Sequence, residues 1–268
     1  MQLSEFFDAL WQDYIGVTPQ AETIRRLFEA REGDGGVIND HVAFRTFSDS
    51  PLDLDALEPV ILSLGYRLQD SYRFEEKNLH ARSYIHAMEG QPKIFISELH
   101  YGHLSRTCRE IIEGYRERIT AELLQPSVFW SGRHWPMPDW DAYSRVAQES
   151  EYGAWLLVMG LRANHFTICI DCLKTVAGLE EALDVVKAGG FEINRAGGEI
   201  KGSPALFLEQ AATMADRVPQ TFADGVTRDI SSCFYEFAQR HRMPGGGRYE
   251  GFVTANADRI FESTNVAE

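Results

Sequence analysis

The sequence predicts an α+β fold made of a duplicated strand–helix–three-strand (βαβββ) unit, the two halves curling as a pair of half-barrels around a central metal site. Three observations predict it. Two alternating segments, Asn39–Phe47 (NDHVAFRTF) and Ala163–Asp171 (ANHFTICID), each carry a histidine on one face and bulky apolar residues on the other. Each is followed by a helical stretch that stops at glycine, and then by further strand-like segments. The spacing also agrees, because His41 precedes Gly65-Tyr66 by 24 positions and His165 precedes Gly190-Phe191 by 25.

In chain order, residues 1–36 read as two helices. Leu3, Phe6, Phe7, Leu10, Trp11 and Tyr14 recur at helical spacing, and Thr18-Pro19 opens a second helix through Ile24 and Leu27 that closes at Gly33. The first unit spans 37–104. Ser50-Pro51 reads as the cap of its helix, which runs through Leu54, Leu57, Val60 and Leu64, and strands are expected around Tyr66–Leu68, Ala81–Ala87 and Lys93–Leu99. Residues 105–160 read as a helical insertion with an aromatic, proline-rich loop (Phe129, Trp130, His134, Trp135, Trp140) placed to cover a site mouth. The second unit and a tail fill 161–268, with a helix over Val176–Ala188 and strands at Phe191–Asn194, Ala205–Leu208 and Ser232–Ala238. All four segments form one catalytic domain.

A chain of 268 residues is long enough to bury a large core. Its 26 basic and 40 acidic residues leave a net charge of −14, which repels nucleic acid and anionic membrane surfaces. Any anionic substrate must then meet a local arginine. Four cysteines are too few for a disulfide framework, so Cys108, Cys169, Cys172 and Cys233 are expected as reduced thiols in the cytoplasm. Cys169 and Cys172 form a Cys-x-x-Cys pair with no second pair to complete a zinc knot, and burial as small apolar side chains is the simpler expectation. No run approaches the roughly 20 apolar residues of a membrane span, and no export signal opens the chain.

A polar interior face needs a reason. Burying imidazoles and a carboxylate without partners costs several kcal/mol, and a divalent cation satisfies them together. His41 and His165 open the two units, and Glu236 sits in the closing strand of the second, amid Phe234, Tyr235 and Phe237. Two histidines and one carboxylate on one face of a metal leave positions open for substrate and dioxygen, the logic of non-heme Fe(II) oxygenases. Glu98 is the rival carboxylate, which spacing alone does not exclude. Arg45 shares the His41 face, about 13 Å further along at roughly 3.3 Å per residue, and its planar fork suits the distal carboxylate of a metal-chelated substrate; a structural ion pair with a buried acid explains it equally well. His80, Arg82, Tyr84 and His86 share one parity and either line the cavity or face solvent, while His100, His103 and His134 are reserve ligands. Arg248, in the glycine-rich loop after Glu236, is a further candidate substrate contact.

His41-Val-Ala-Phe-Arg45-Thr-Phe, Asn164-His165-Phe-Thr and Phe234-Tyr-Glu236-Phe resemble the 2-oxoadipate dioxygenase/decarboxylase family, whose fold is related to the vicinal oxygen chelate barrels; the likeness runs from about residue 37 to residue 250. The resemblance implies an Fe(II) cofactor held by His41, His165 and Glu236, and Arg45 as the substrate-positioning arginine. It also implies conversion of 2-oxoadipate and dioxygen into 2-hydroxyglutarate and carbon dioxide, late in lysine breakdown. The same ligand types suit a zinc hydrolase, and a metal-free small-molecule binding module of the same barrel is the non-enzyme alternative. The preferred 2-oxo acid, the handedness of the product and the oligomeric state are not written in these motifs.

Overall fold

In the computed structural model, which describes residues 1–33, 36–120 and 124–265, the expected duplication is present as a single curled sheet. Its first half is β1 (Asn39–Phe47), α3 (Leu54–Ser63), β2 (Tyr66–Phe74), β3 (Leu79–His86) and β4 (Lys93–Leu99). The second half is β5 (Ala163–Cys169), α7 (Leu179–Ala188), β6 (Lys201–Ser203), β7 (Leu208–Ala212) and β10 (Phe234–Arg240), interrupted by a separate hairpin of β8 (Arg217–Thr221) and β9 (Thr227–Ser231). The strand order β2-β3-β4-β1-β5-β10-β7-β6 reads the same outward from the central β1–β5 seam in both directions. In each half the first strand runs parallel to the last (β1 with β4, β5 with β10), and the remaining pairs are antiparallel. The seam itself is antiparallel.

Every strand at the seam is buried on both faces, so its outward side chains need a helical cover. The N-terminal helices α1 (Leu3–Val17) and α2 (Pro19–Glu32) supply it for the second half. Trp11 packs edge-on to Phe166 at 5.2 Å, Phe28 meets Phe237 at 6.1 Å, and the Tyr14 hydroxyl donates to the Phe234 carbonyl. Helix α3 covers the first half. Its cap is Asp53, whose carboxylate accepts from the Ala56 amide, rather than the expected Ser50-Pro51.

The insertion contributes α4 (Arg106–Arg116), α5 (Trp140–Glu149) and α6 (Glu151–Met159). Its aromatic loop packs outside the sheet, with Phe129 against Phe6 and Phe44 and Trp135 against Phe47. The expected strand at Phe191–Asn194 is reduced to one bridge between Ile193 and Thr213, and Ala205–Leu208 is largely a 3-10 turn between two short strands. The last helix, α8 (Thr254–Ile260), lies in what the sequence presents as a tail.

The reduced-thiol expectation is corrected for one pair. Cys169 ends β5 and Cys172 follows within a single tight turn, so their Cα atoms stand 5.3 Å apart and the sulfurs are joined. Cys108 and Cys233 are free and buried. Among the described residues no helix is long and apolar enough to cross a membrane.

Candidate metal centre

His41, His165 and Glu236 come from three adjacent strands. Across the seam Ala43 lies opposite His165 and His41 opposite Thr167, while Thr167 stands beside Glu236 on the parallel strand β10. Register thus delivers all three side chains to one point on the concave face. The His165 Nε2 lies 3.1 Å and the His41 Nε2 3.5 Å from the Glu236 carboxylate, each on a different oxygen, and the imidazole rings meet edge-on at 5.5 Å. One donor atom from each falls within 4.8 Å of the others, and all three residues are buried.

The surroundings fix the direction of each donor. Asp40 Oδ2 accepts from His41 Nδ1 at 2.8 Å, and Asn164 Oδ1 accepts from His165 Nδ1 at 3.1 Å, so both Nε2 atoms are left to face the centre. Gln210 donates to Glu236 Oε1 at 2.7 Å and is itself held by Asn256. Burial would raise the Asp40 carboxyl, yet the Arg240 guanidinium, gripping both its oxygens at 2.7 and 2.8 Å, and the bond to His41 hold it well below the usual range. Burial would likewise raise Glu236, but the two imidazoles and Gln210 lower it. Burial itself lowers the His165 imidazole and favours its neutral, metal-binding form.

Arg45 reaches the same cavity from β1 and is 1% exposed. Its guanidinium lies over the rings of Tyr152 (4.8 Å), Trp155 (4.9 Å) and Phe261 (5.8 Å), and its one hydrogen bond among the described residues is a long one to Thr264. Nε and Nη1 are buried with no partner, and no carboxylate lies within ion-pair distance among the described residues. The structural ion pair that would have explained Arg45 is therefore not observed. Phe95, Phe252, Ile260 and Phe261 give the cavity its apolar walls.

The other candidates fall elsewhere. Glu98 lies on the opposite face of β4 and accepts from the Leu54 amide at the start of α3. The position in the first half that corresponds to Glu236 is Phe95, beside Ala43. Arg82 and Tyr84 bond to Glu58 of α3, which places the His80–His86 parity on the helix-covered side. His86 accepts from the Met88 amide, and His134 contacts the Val128 carbonyl. Arg248, expected as a substrate contact, is tied to Asp171 at 2.6 Å and Asp40 at 3.1 Å, away from the cavity walls, so the structure gives it an ion-pairing place instead. No residue of the aromatic loop lines the cavity, whereas Phe252, Ala257, Ile260 and Phe261 of the C-terminal segment do.

Asp40, Asn164 and Gln210 were missed at the sequence level. A signal existed for the first two: each half places an Asp or Asn immediately before its histidine.

A curled pair of βαβββ halves with two histidines and a glutamate at the seam defines a vicinal-oxygen-chelate-like barrel with a two-histidine-one-carboxylate centre. Residues 127–247 match the family model described as 2-oxoadipate dioxygenase/decarboxylase. The chain is 33% identical over 276 residues to the 2-oxoadipate dioxygenase/decarboxylase of Oryza sativa subsp. japonica, covering 94% of this chain and 76% of that one. The solved structure of hydroxyglutarate synthase from Oryza sativa in complex with 2-oxoadipate superposes with a TM-score of 0.90 at 31% identity, over 97% of this chain and 91% of that one. A structure from Shewanella frigidimarina NCIMB 400, described as a candidate hydrolase, superposes with a TM-score of 0.87 at 41% identity, over 94% and 98%. The chain belongs to the 2-oxoadipate dioxygenase/decarboxylase family.

Proposed function

We propose that this protein is an Fe(II)-dependent enzyme that converts 2-oxoadipate and dioxygen into 2-hydroxyglutarate and carbon dioxide, a step of lysine breakdown. The observation that carries the proposal is the presence in one cavity of three convergent metal donors and a buried arginine with two unpartnered donor atoms. Two neutral imidazoles and a carboxylate are the donor set of non-heme iron oxygenases, and they fit a divalent metal without any further residue. Family membership and the 2-oxoadipate complex of the rice protein support the substrate.

Bound iron would supply chelation of the 2-oxo acid and activation of dioxygen. His41, His165 and Glu236 would hold it. Asp40 and Asn164 keep the two Nδ1 protons, so each imidazole presents Nε2, and Gln210 prevents the Glu236 carboxylate from rotating. Arg45 receives the C6 carboxylate on its unpartnered N–H groups, which sets the distance between the anchored end and the reacting C1–C2 bond. Phe95, Phe252, Ile260 and Phe261 exclude water from the reacting end. The overall change breaks the C1–C2 bond, releases C1 as carbon dioxide, and places one atom of dioxygen in the new carboxylate and the other in the hydroxyl group. Atoms and electrons balance without an external reductant or a second oxo acid.

Oxygen uptake by Fe(II)-reconstituted protein given 2-oxoadipate, with 2-hydroxyglutarate assayed in parallel and His165→Ala as control, tests the proposal. Matched oxygen loss and product, both abolished in the variant, are expected. A filled iron site without turnover would discard the substrate. Turnover of ester or amide substrates with zinc instead would favour the hydrolytic chemistry suggested by the Shewanella description.

A further inference from the structure

A second cluster of metal-ligand side chains lies on the outer face of the first half. His80 on β3 stands directly opposite Glu98 on β4, so the two side chains project on the same side of the sheet. His100 follows Glu98 by two residues, and its backbone amide is tied to the Asn78 carbonyl at 2.9 Å, which continues the strand-like direction past the end of β4. The imidazoles of His80 and His100 approach to 3.8 Å between centroids, and His100 Nε2 lies 2.9 Å from Glu98 Oε1. One donor atom from each of the three lies within 4.8 Å of the others.

We propose that His80, Glu98 and His100 form a second, peripheral site for a borderline transition-metal dication such as Zn2+. Two imidazoles and a carboxylate exclude the hard cations Mg2+ and Ca2+, which take oxygen donors, and favour the zinc, nickel and copper class. An ion about 2.0–2.2 Å from each donor can reach all three after small side-chain rotations, with water completing the shell. Two of the three donors are already held in place. The other oxygen of Glu98 accepts from the Leu54 amide at 3.1 Å, the His100 carbonyl accepts from His103 Nδ1 at 2.8 Å, and the ring nitrogens of His80 have no hydrogen-bond partner among the described residues. A bound ion would replace the bare contact between two imidazoles with ligation and cross-link β3, β4 and the start of α3. His80 and His100 are only part-buried, so this site exchanges with solvent, whereas the three inner donors are buried. The inference does not depend on the reaction proposed above.

Zn2+ titration of the full, metal-stripped chain tests it, with bound metal counted by elemental analysis after gel filtration. Two equivalents are expected for the unaltered chain, and one each for His165→Ala and for His80→Gln/His100→Gln. Glu98→Gln, which keeps the amide contact to α3 possible, should weaken the outer equivalent by at least tenfold. Unchanged far-UV circular dichroism melts of the metal-free variants separate lost ligation from lost folding. Two equivalents retained in His80→Gln/His100→Gln, or the same single equivalent in the unaltered chain and in that variant, would overturn the proposal.

Discussion

Arg45 is a buried cation with two vacant donors, so removing it should cost binding rather than folding. Charge-assisted hydrogen bonds are worth about 1.5–3 kcal/mol each. Arg45→Met should accordingly lower kcat/KM for 2-oxoadipate by roughly 10- to 100-fold for each bond lost, with iron content unchanged, and the deficit should disappear for a 2-oxo acid that lacks the distal carboxylate. Loss of iron in this variant would contradict the role. Near Arg45, burial lifts the Glu151 carboxyl to about 7 against an ordinary 4.5, with the arginine charge opposing the shift. Because the folded value is the higher one, the folded chain binds the extra proton between these limits, and stability falls as pH climbs from 4.5 through 7. Glu151→Gln should therefore be indistinguishable from the unaltered chain near pH 4.5. By pH 8 it should be more stable by on the order of 1–3 kcal/mol, as read from denaturant midpoints. A gap that does not vary with pH would rule out the buried carboxyl as its origin.

Among the elements, the C-terminal stretch carries a role that its sequence conceals. Phe252 packs edge-on to His41 at 4.9 Å and against Phe95 at 5.0 Å, and Arg240 lies over its ring, so it closes one wall of the metal pocket. Truncating it should cost about 3 kcal/mol of stability and admit water to the reacting end. We expect Phe252→Ala to lower the melting midpoint and the yield of 2-hydroxyglutarate per oxygen consumed, and Phe252→Leu to recover most of both. An unchanged yield in Phe252→Ala would remove this wall from the mechanism. The contrast with the seam strands explains what was legible. Around His41 and His165 the alternation is long, the apolar partners are bulky and the following glycines stop each helix, so strand and face follow from pattern alone. Phe191–Asn194 has similar composition but retains only the Ile193 bridge, because β7 already takes its partner on that side from the short strand β6. Glu98 and Glu236 look equivalent in one dimension and separate only when register puts Phe95, not Glu98, beside the inward face of β1. The α8 cover depends on tertiary closeness, which no local period encodes, whereas the Cys169–Cys172 link is local and lies in a Cys-x-x-Cys pair already visible in the sequence.

At the scale of the molecule, the proposed metal would join the two halves. His41 belongs to the first, His165 and Glu236 to the second, and the antiparallel β1–β5 ladder and the buried Asp40–Arg240 pair also run between them at this depth. Without the ion, the Glu236 carboxylate and two imidazoles share a buried pocket in which, among the described residues, Gln210, Thr167, Asp40 and Asn164 satisfy them. Anything that binds the folded state alone stabilises it by RT ln(1 + [L]/Kd), about 2.7 kcal/mol at a hundredfold excess over Kd. Chelation should thus lower the midpoint by roughly 5–10 °C for a chain of this size, and the loosening should be local. Amide hydrogen exchange should accelerate first along β1, β5 and β10, while the β2 and β6 edges, far from the ion, keep the rates they have in the loaded protein. If chelation instead raised exchange evenly across the sheet, the metal would be acting on global stability alone. If exchange along β1 did not change, His41 would not be a ligand, and the centre would belong to the second half by itself.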